Sequence, residues 1–328
     1  MDKQTFHEGD LSSHSFLVTG GGGFIGSHIV EYLLQHNAGL VRVLDNFSTG
    51  DALNLKGFKG NLEVVEGDIC DVDTCRKACE GITYVLHQAA LGSVPRSLKD
   101  PLHTHQVNVT GFVNMLVAAK DANVKRMVYA SSSSVYGDSK ELPKKEDRIG
   151  KPLSPYGASK LTDEVYAGVF HLNYGMNIIG LRYFNVFGPR QSPDGPYAAA
   201  LPLFIRAISA DTSAYIDGDG LQTRDFTYVE NAVQANIKAL FTKHPGALGQ
   251  VFNVAYGQRT SILEMYTKIN QILGKDIPAI HRESRAGDIR DSLASIEKAK
   301  EMLGYDPAVD LEEGLKRTLQ KISVVGKV

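Results

Sequence analysis

The sequence predicts a doubly wound α/β fold, a parallel sheet with helices on both faces, followed by a smaller C-terminal lobe. Two observations carry this. Short β-branched and aromatic runs alternate with helix-favouring segments from Phe16 to Tyr183, and such alternation specifies a parallel sheet covered on both faces. A glycine-rich turn stands between the first run and the first helical segment, the place where such a sheet receives a ligand.

The elements follow in order. Residues 1–14 are polar and read as a loose extension. Strands are expected at Phe16–Val18, Val41–Leu44, Leu62–Val65, Tyr84–Leu86, Arg126–Ala130 and Ile178–Tyr183, with helices at Ser27–Gln35, His103–Asp121 and Ser159–Asn173. From Gly188 prolines and glycines cluster. Short strands are then expected at Ala214–Ile216, Asp225–Val229 and Val251–Val254, and helices at Ser261–Leu273, Ser295–Leu303 and Leu311–Ile322. The division is a first domain over 1–187, with elements returning around 225–258, and a lobe mainly over 188–328. No linker separates them, so they are expected to pack around a cleft.

Bulk properties narrow the function. A chain of 328 residues has core enough to need no disulfide or metal. A formal charge of −2 argues for neither nucleic acid nor an anionic membrane, so phosphate binding must come from local groups. No uncharged apolar run approaches the roughly 20 residues that span a bilayer, and the N-terminus lacks a signal peptide's apolar core. A soluble cytoplasmic protein is expected. Cys70, Cys75 and Cys79 are spaced C-x4-C-x3-C, which is not a zinc pattern, so free thiols on or near one helix and no metal site are expected.

The glycine turn reads Thr19-Gly20-Gly21-Gly22-Gly23-Phe24-Ile25-Gly26. Gly20, Gly23 and Gly26 have the G-x-x-G-x-x-G spacing that permits a tight turn and a close approach to a pyrophosphate. The helix after it aims its amides and positive dipole end at that phosphate. Asp45 ends the second strand roughly 20 residues further on, where a carboxylate accepts from ribose hydroxyls and repels a 2′-phosphate, favouring NAD over NADP. Asp68, after the third strand, is a candidate for the adenine amino group.

Two features mark a reactive end. Tyr156 and Lys160 form a Tyr-x-x-x-Lys at helical spacing, so both side chains point at one spot. A phenol ordinarily titrates near 10, and a neighbouring ammonium favours the phenolate. Pro155 suits the first turn of a helix, which places Tyr156 near its N-terminal end. The second feature is Ser131-Ser132-Ser133-Ser134 after the fifth strand, where a hydroxyl can bond an alcohol under oxidation.

Together these residues resemble the extended short-chain dehydrogenase/reductase family over nearly the whole chain. The resemblance implies a Rossmann fold, with Ser132, Tyr156 and Lys160 catalytic. Within the family, Leu44–Gly50, Leu181–Gly188, Gly218–Phe226 and Arg285–Arg290 are similar to nucleoside-diphosphohexose 4-epimerases. His87–Ser97 is similar to the stretch in bacterial UDP-N-acetylglucosamine 4-epimerases. A 4-epimerase interconverting UDP-GlcNAc and UDP-GalNAc through a 4-keto intermediate, with tightly bound NAD, is therefore implied. UDP-glucose and UDP-galactose are further candidates, and a homodimer is expected through His103–Asp121 and Ser159–Asn173.

Carried over position by position, Phe24, Ile25, Asn46, Ser48, Gly50, Ile69, Gln88, Ala89, Ala90, Asn108 and Phe184 would join the glycines, Asp45, Asp68, Tyr156 and Lys160 at the cofactor. Asn185, Arg224, Arg285 and Asp288 would meet the UDP portion, with Tyr215 also on the substrate. Gly92, Ser93, Ser132, Ser133 and Tyr156 would line the sugar. Ser292 occupies a gating position, where a small residue leaves room for an acetamido group. Three other readings stay open. A 4,6-dehydratase or UDP-glucuronate decarboxylase would need an acid after Ser132, where Ser133 stands. A UDP-glucuronate 4-epimerase would need a cation, with Arg96 the nearby candidate. A non-catalytic dinucleotide sensor would be expected to lose Tyr156 and Lys160.

Overall fold

The computed structural model of the chain describes residues 4–194, 199–283 and 290–325, the last four of these by backbone alone. The first half runs β1 (Ser15–Thr19), α1 (Phe24–Gln35), β2 (Leu40–Asp45), β3 (Leu62–Glu66), α2 (Val72–Cys79), β4 (Tyr84–His87), α3 (Val94–Lys99), α4 (Pro101–His105), α5 (Gly111–Asp121), β5 (Arg126–Ser132), α6 (Pro155–Tyr174) and β6 (Ile178–Tyr183). The second half contains β7 (Val186–Phe187), α7 (Ala200–Ser209), β8 (Tyr215–Asp217), β9 (Thr223–Asp225), β10 (Thr227–Tyr228), α8 (Val229–Phe241) and β11 (Val251–Val254). It closes with β12 (Arg259–Ser261), α9 (Ile262–Leu273), β13 (Ile280–Arg282), α10 (Glu297–Leu303) and α11 (Leu311–Val325).

Seven strands form one sheet in the order β11-β6-β5-β4-β1-β2-β3, and every pairing is parallel. The chain winds outward through β2 and β3, then returns to the other side of β1. That reversal opens a crevice between the carboxyl ends of β1 and β4. Register fixes what meets there: Thr19 lies opposite both Leu44 and His87, so Gly20, Asp45 and Gln88 leave the sheet at one edge.

Strand alternation divides the core. Phe16, Val18, Val41 and Val43 pack with Ile29 and Leu33 of α1, Ala232 and Val233 of α8, and Leu303 of α10. Leu17, Leu44 and Val85 face the other way, onto Cys75 and Cys79 of α2, Phe112 and Met115 of α5, and Phe170 of α6. A separate cluster in the second lobe joins Phe204, Ile216, Phe226, Met265 and Leu315. Among the described residues no helix is long and apolar enough to cross a membrane.

The structure corrects four sequence expectations. Helix α1 starts at Phe24, ahead of Ser27, because the Ser27 amide already closes a turn on the Gly23 carbonyl at 3.0 Å. The N-terminal segment is anchored in its described part: Phe6 and Leu11 are buried. The Phe6 ring stacks on Tyr32 with centroids 5.3 Å apart, and its amide donates to Tyr32 Oη at 2.7 Å. The run Asp225–Val229 is no single strand. Strands β9 and β10 flank Phe226, and Val229 opens α8. Finally, the expected helix His103–Asp121 contains a π turn at Gln106–Thr110 between α4 and α5.

Candidate active site

The glycine turn is shaped for a close-lying ligand. A Cβ on Gly20 would stand 2.7 Å from the Ala89 nitrogen, and one on Gly26 would stand 2.1 Å from the Gly20 oxygen. Gly20 also has φ +66, a conformation that side chains other than glycine's rarely adopt. Gly23 precedes α1 with no side-chain cap, and the first turn holds no acid. The opening amides of α1 are therefore left for an anion. Asp45 accepts from the Gly22 amide at 2.8 Å and the Phe47 amide at 2.9 Å, so its carboxylate is fixed while lone pairs remain for hydroxyl donors.

The loop after β2 folds back onto this turn. Gly22's oxygen accepts from Asn54 Nδ2 at 2.9 Å and from the Asp51 amide at 3.0 Å. At the outer end, Asp68 accepts from Asn46 Nδ2 at 2.9 Å and the Cys70 amide at 2.8 Å. Burial raises the Asp68 carboxyl, but these hydrogen bonds outweigh it and leave the group below its usual value. Next to β4, Thr19 Oγ1 bonds His87 Nδ1 at 2.8 Å and accepts from the Ala89 amide at 3.3 Å. Burial, then the charge of Lys160, pushes His87 down to about 3, so it serves as a neutral support.

At the reactive end α6 begins as its sequence dictates. Ser154 caps it by accepting from the Gly157 amide at 3.1 Å, and Pro155 occupies the first turn. Tyr156 therefore stands at the tip. Gly157 lets the helix lie against the serine loop, since a Cβ there would stand 2.7 Å from the Ser134 oxygen. Ser132 is itself fixed by accepting from the Ser134 amide at 3.1 Å. The 550 Å³ cleft that results is lined from Gly20 and Asp45 through Ala89 and Gly92 to Ser132, Tyr156 and Lys160.

A buried ion pair braces this end. Glu164 takes Arg182 Nε at 2.8 Å and Nη2 at 2.7 Å, and accepts from Ser131 Oγ at 2.5 Å. The guanidinium also lies 4.9 Å from the Tyr136 ring centre. Helix α6 is thus tied to β5 and β6 beneath the serine loop. Replacing Glu164 by Gln leaves the arginine buried without its counter-charge. The expected loss is about 3–5 kcal/mol of stability, checked by the free energy of urea unfolding.

A second cleft of 620 Å³ shares Asn185 and Val186 with the first and runs into the C-terminal lobe past Tyr215, Gln222, Arg224 and Arg282. Asn185 has φ +34 and donates to the Asp225 carbonyl at 3.2 Å. Arg282 sits 5.4 Å from the Tyr215 ring centre and pairs with Asp217. Arg282 escaped the sequence reading, as did Tyr183, which lines the first cleft. Tyr183 donates to Gln88 Oε1 at 3.0 Å and accepts from Asn236 Nδ2 at 2.7 Å, while Gln88 Nε2 donates to Asn236 Oδ1 at 3.1 Å. This closed ring of three side chains fixes Gln88 in the cleft.

Most expected contacts face one of the two clefts. Phe24, Ile25, Gly26, Asn46, Ser48, Gly50, Ile69, Ala90 and Ser133 line the first; Tyr215 and Arg224 line the second. Four do not, and Arg96 is also absent from both linings. Phe184 is fully buried, its ring 5.9 Å from that of Tyr136. Asn108 is buried in the π turn, where it bonds the Leu91 backbone on both sides and donates to Ser159 Oγ at 3.0 Å. It supports the loop and α6 from behind. Ser93 caps α3. Ser292 is buried with its amide on the Thr223 oxygen at 3.1 Å. Arg285 and Asp288 lie outside the described residues.

Comparison with known proteins gives consistent matches. A family model described as the NAD dependent epimerase/dehydratase family matches residues 16–255. A UDP-glucose 4-epimerase of Mycolicibacterium smegmatis is 39% identical over 93% of this chain and 97% of its own. The UDP-N-acetylglucosamine 4-epimerase of Methanobrevibacter ruminantium, solved with UDP-N-acetylmuramic acid, superposes with a TM-score of 0.90 at 39% identity, covering 95% of this chain and 99% of that one. The UDP-glucuronic acid 4-epimerase of Bacillus cereus, solved with UDP-glucuronic acid and NAD, gives 0.87 at 34% identity, covering 95% and 99%.

Proposed function

Since the chain belongs to the NAD dependent epimerase/dehydratase family, we propose that it is a UDP-sugar 4-epimerase acting on UDP-N-acetylglucosamine and UDP-N-acetylgalactosamine, with UDP-glucose and UDP-galactose as secondary substrates. The observation that carries the reading is the convergence of Tyr156, Lys160 and Ser132 on the cleft that also holds the glycine turn and Asp45. The uncapped amides of α1 and the side-chain-free glycine cradle fit the diphosphate of NAD, and Asp45 fits its ribose. Bound there, NAD supplies reversible hydride acceptance, which no side chain of the cleft has.

The chain's own residues do the rest. Tyr156 takes the proton of the sugar's 4-hydroxyl and later returns it. Ser132 holds that oxygen by a hydrogen bond, and the Lys160 ammonium stabilises the charge on Tyr156 while its proton is away. Arg224 and Asn185 hold the UDP portion, so the 4-keto sugar turns about a fixed anchor and presents its other face. Gly92 leaves room for the turn: among the described residues a Cβ there would meet no atom within 4 Å. Serines follow Ser132 where elimination or decarboxylation would need an acid. The likeness to the Methanobrevibacter ruminantium enzyme supports the N-acetylated substrates. The test is proton NMR of the anomeric signals with each UDP-sugar and no added NAD. Interconversion of the N-acetylated pair, faster than of the glucose pair, is expected. Loss of water, or no interconversion of either pair, would overturn the reading.

The same reading includes a homodimer. Val165, Val169 and Leu172 recur along one exposed stripe of α6, near exposed Leu98 and Leu102. An apolar stripe on a helix face calls for a partner, and a second copy can present the same one. Replacing Val169 by Glu is expected to shift the protein from dimer to monomer in sedimentation velocity.

A further inference from the structure

Helix α6 carries a buried carboxylate, Asp163, that the reaction as described does not use. Lys160 Nζ donates to Asp163 Oδ2 at 3.1 Å, and the two side chains are 2% and 1% exposed. The other carboxylate oxygen, Oδ1, is buried with no hydrogen-bond partner among the described residues. A buried carboxylate half bare of donors is expensive in stability, so its place under Lys160 calls for a reason.

Spacing supplies one. Tyr156, Lys160 and Asp163 fall at i, i+4 and i+7, which puts them in one row along the helix. Tyr156 and Lys160 line the cleft, and Asp163 does not. The cation thus stands between a phenol that must lose its proton and a carboxylate at the buried end. The surroundings leave the carboxylate to Lys160. Glu164, on the same helix, is held by Arg182 of β6. His87, from β4, is neutral. Tyr129, from β5, is held protonated first by burial, then by Glu164 and Asp163.

We propose that Asp163 is a positioning residue for this active site: it anchors Lys160 and, when ionised, subtracts from the positive charge that Lys160 presents to Tyr156. This rests on the roles given to Tyr156 and Lys160 above. Burial pushes the Asp163 carboxyl up to about 7, with Lys160 opposing and Glu164 adding to the rise, so its charge changes within the working range. The sign follows directly. An ionised Asp163 offsets Lys160 and makes the Tyr156 proton harder to remove; a neutral one leaves the full cationic charge in place.

The test isolates one of 14 tyrosines by subtracting, in the parent and in each Asp163 variant separately, the ultraviolet phenolate titration of the full-length protein that also carries Tyr156→Phe, which cancels the effect of Asp163 on Tyr129. Asp163→Asn keeps the anchor and removes the charge. Its Tyr156 midpoint is expected to fall by about one pH unit, roughly tenfold in proton affinity. Asp163→Ala removes the anchor as well, and is expected to retain NAD about tenfold less tightly, the equivalent of one buried hydrogen bond, whereas the Asn variant retains it like the parent. A merely structural role would change stability and leave the midpoint alone. An unmoved midpoint in the folded Asn variant would overturn the inference while leaving the role of Tyr156 intact. Absence of any Tyr156-dependent phenolate signal in the parent would overturn that role and this inference with it.

Discussion

Replacing Tyr156 by Phe is expected to lower the turnover of UDP-sugar by about 10²–10⁴-fold, the range a positioned proton carrier contributes. The change removes one oxygen from the tip of α6. Nothing else in the helix start depends on it: Ser154 still caps the Gly157 amide, and Ser159 still bonds the carbonyl of residue 156 at 2.8 Å. The glycine turn and the second cleft lie on other elements, so NAD content and UDP affinity are expected to stay within a few-fold of the parent's. Initial rates, together with the NAD released on denaturation, separate the two. Near-normal turnover would remove Tyr156 from the chemistry.

Replacing Gly26 by Ala should do the reverse, sparing the reactive residues and destroying the cofactor seat. The added carbon would stand 2.1 Å from the Gly20 oxygen and 2.9 Å from the Gly21 Cα. Both are backbone atoms of the turn itself, so relief requires α1 to move off the sheet. Overpacking of this kind costs about 1–3 kcal/mol. The displaced amides no longer meet the diphosphate, and losing one or two charge-assisted hydrogen bonds amounts to about 10–100-fold in affinity. Calorimetric titration with NAD and thermal unfolding measure the two effects. Gly168→Ala is the control. Among the described residues a Cβ there meets nothing within 4 Å, and alanine inside a helix should add up to about 1 kcal/mol.

Local chemistry explains what the sequence disclosed. The first strand, the glycine turn, Asp45 and the Tyr156–Lys160 spacing all depend on neighbours in the chain, and the sheet places them as expected. What it hid depends on distant partners. Helix α8 turns three amide side chains into the interior. Asn231 bonds Val309 and Gln234 bonds Asp306, while Asn236 meets Tyr183 and Gln88. Polar residues on a buried face erase the apolar periodicity by which a helix is read. Phe6 and Leu11 look like parts of a polar tail until Tyr32 and its neighbours cover them. The family resemblance puts Asn108 at the cofactor, whereas the π turn aims its amide at Leu91 and Ser159. Ser292 was expected beside the sugar, yet its amide pairs with Thr223 and its side chain is buried. Gly92 bears on the room for a turning sugar, and the relatives at 39% identity include both a UDP-glucose and a UDP-N-acetylglucosamine 4-epimerase.

The central claim is that C4 is oxidised and then reduced on its opposite face within one binding event. UDP-N-acetylglucosamine carrying deuterium at C4, converted by the protein without added NAD, tests it most directly. Mass spectrometry and NMR of the UDP-N-acetylgalactosamine formed should find the deuterium still on C4, with none lost to water. Product that has exchanged its C4 deuterium for solvent hydrogen would contradict the account.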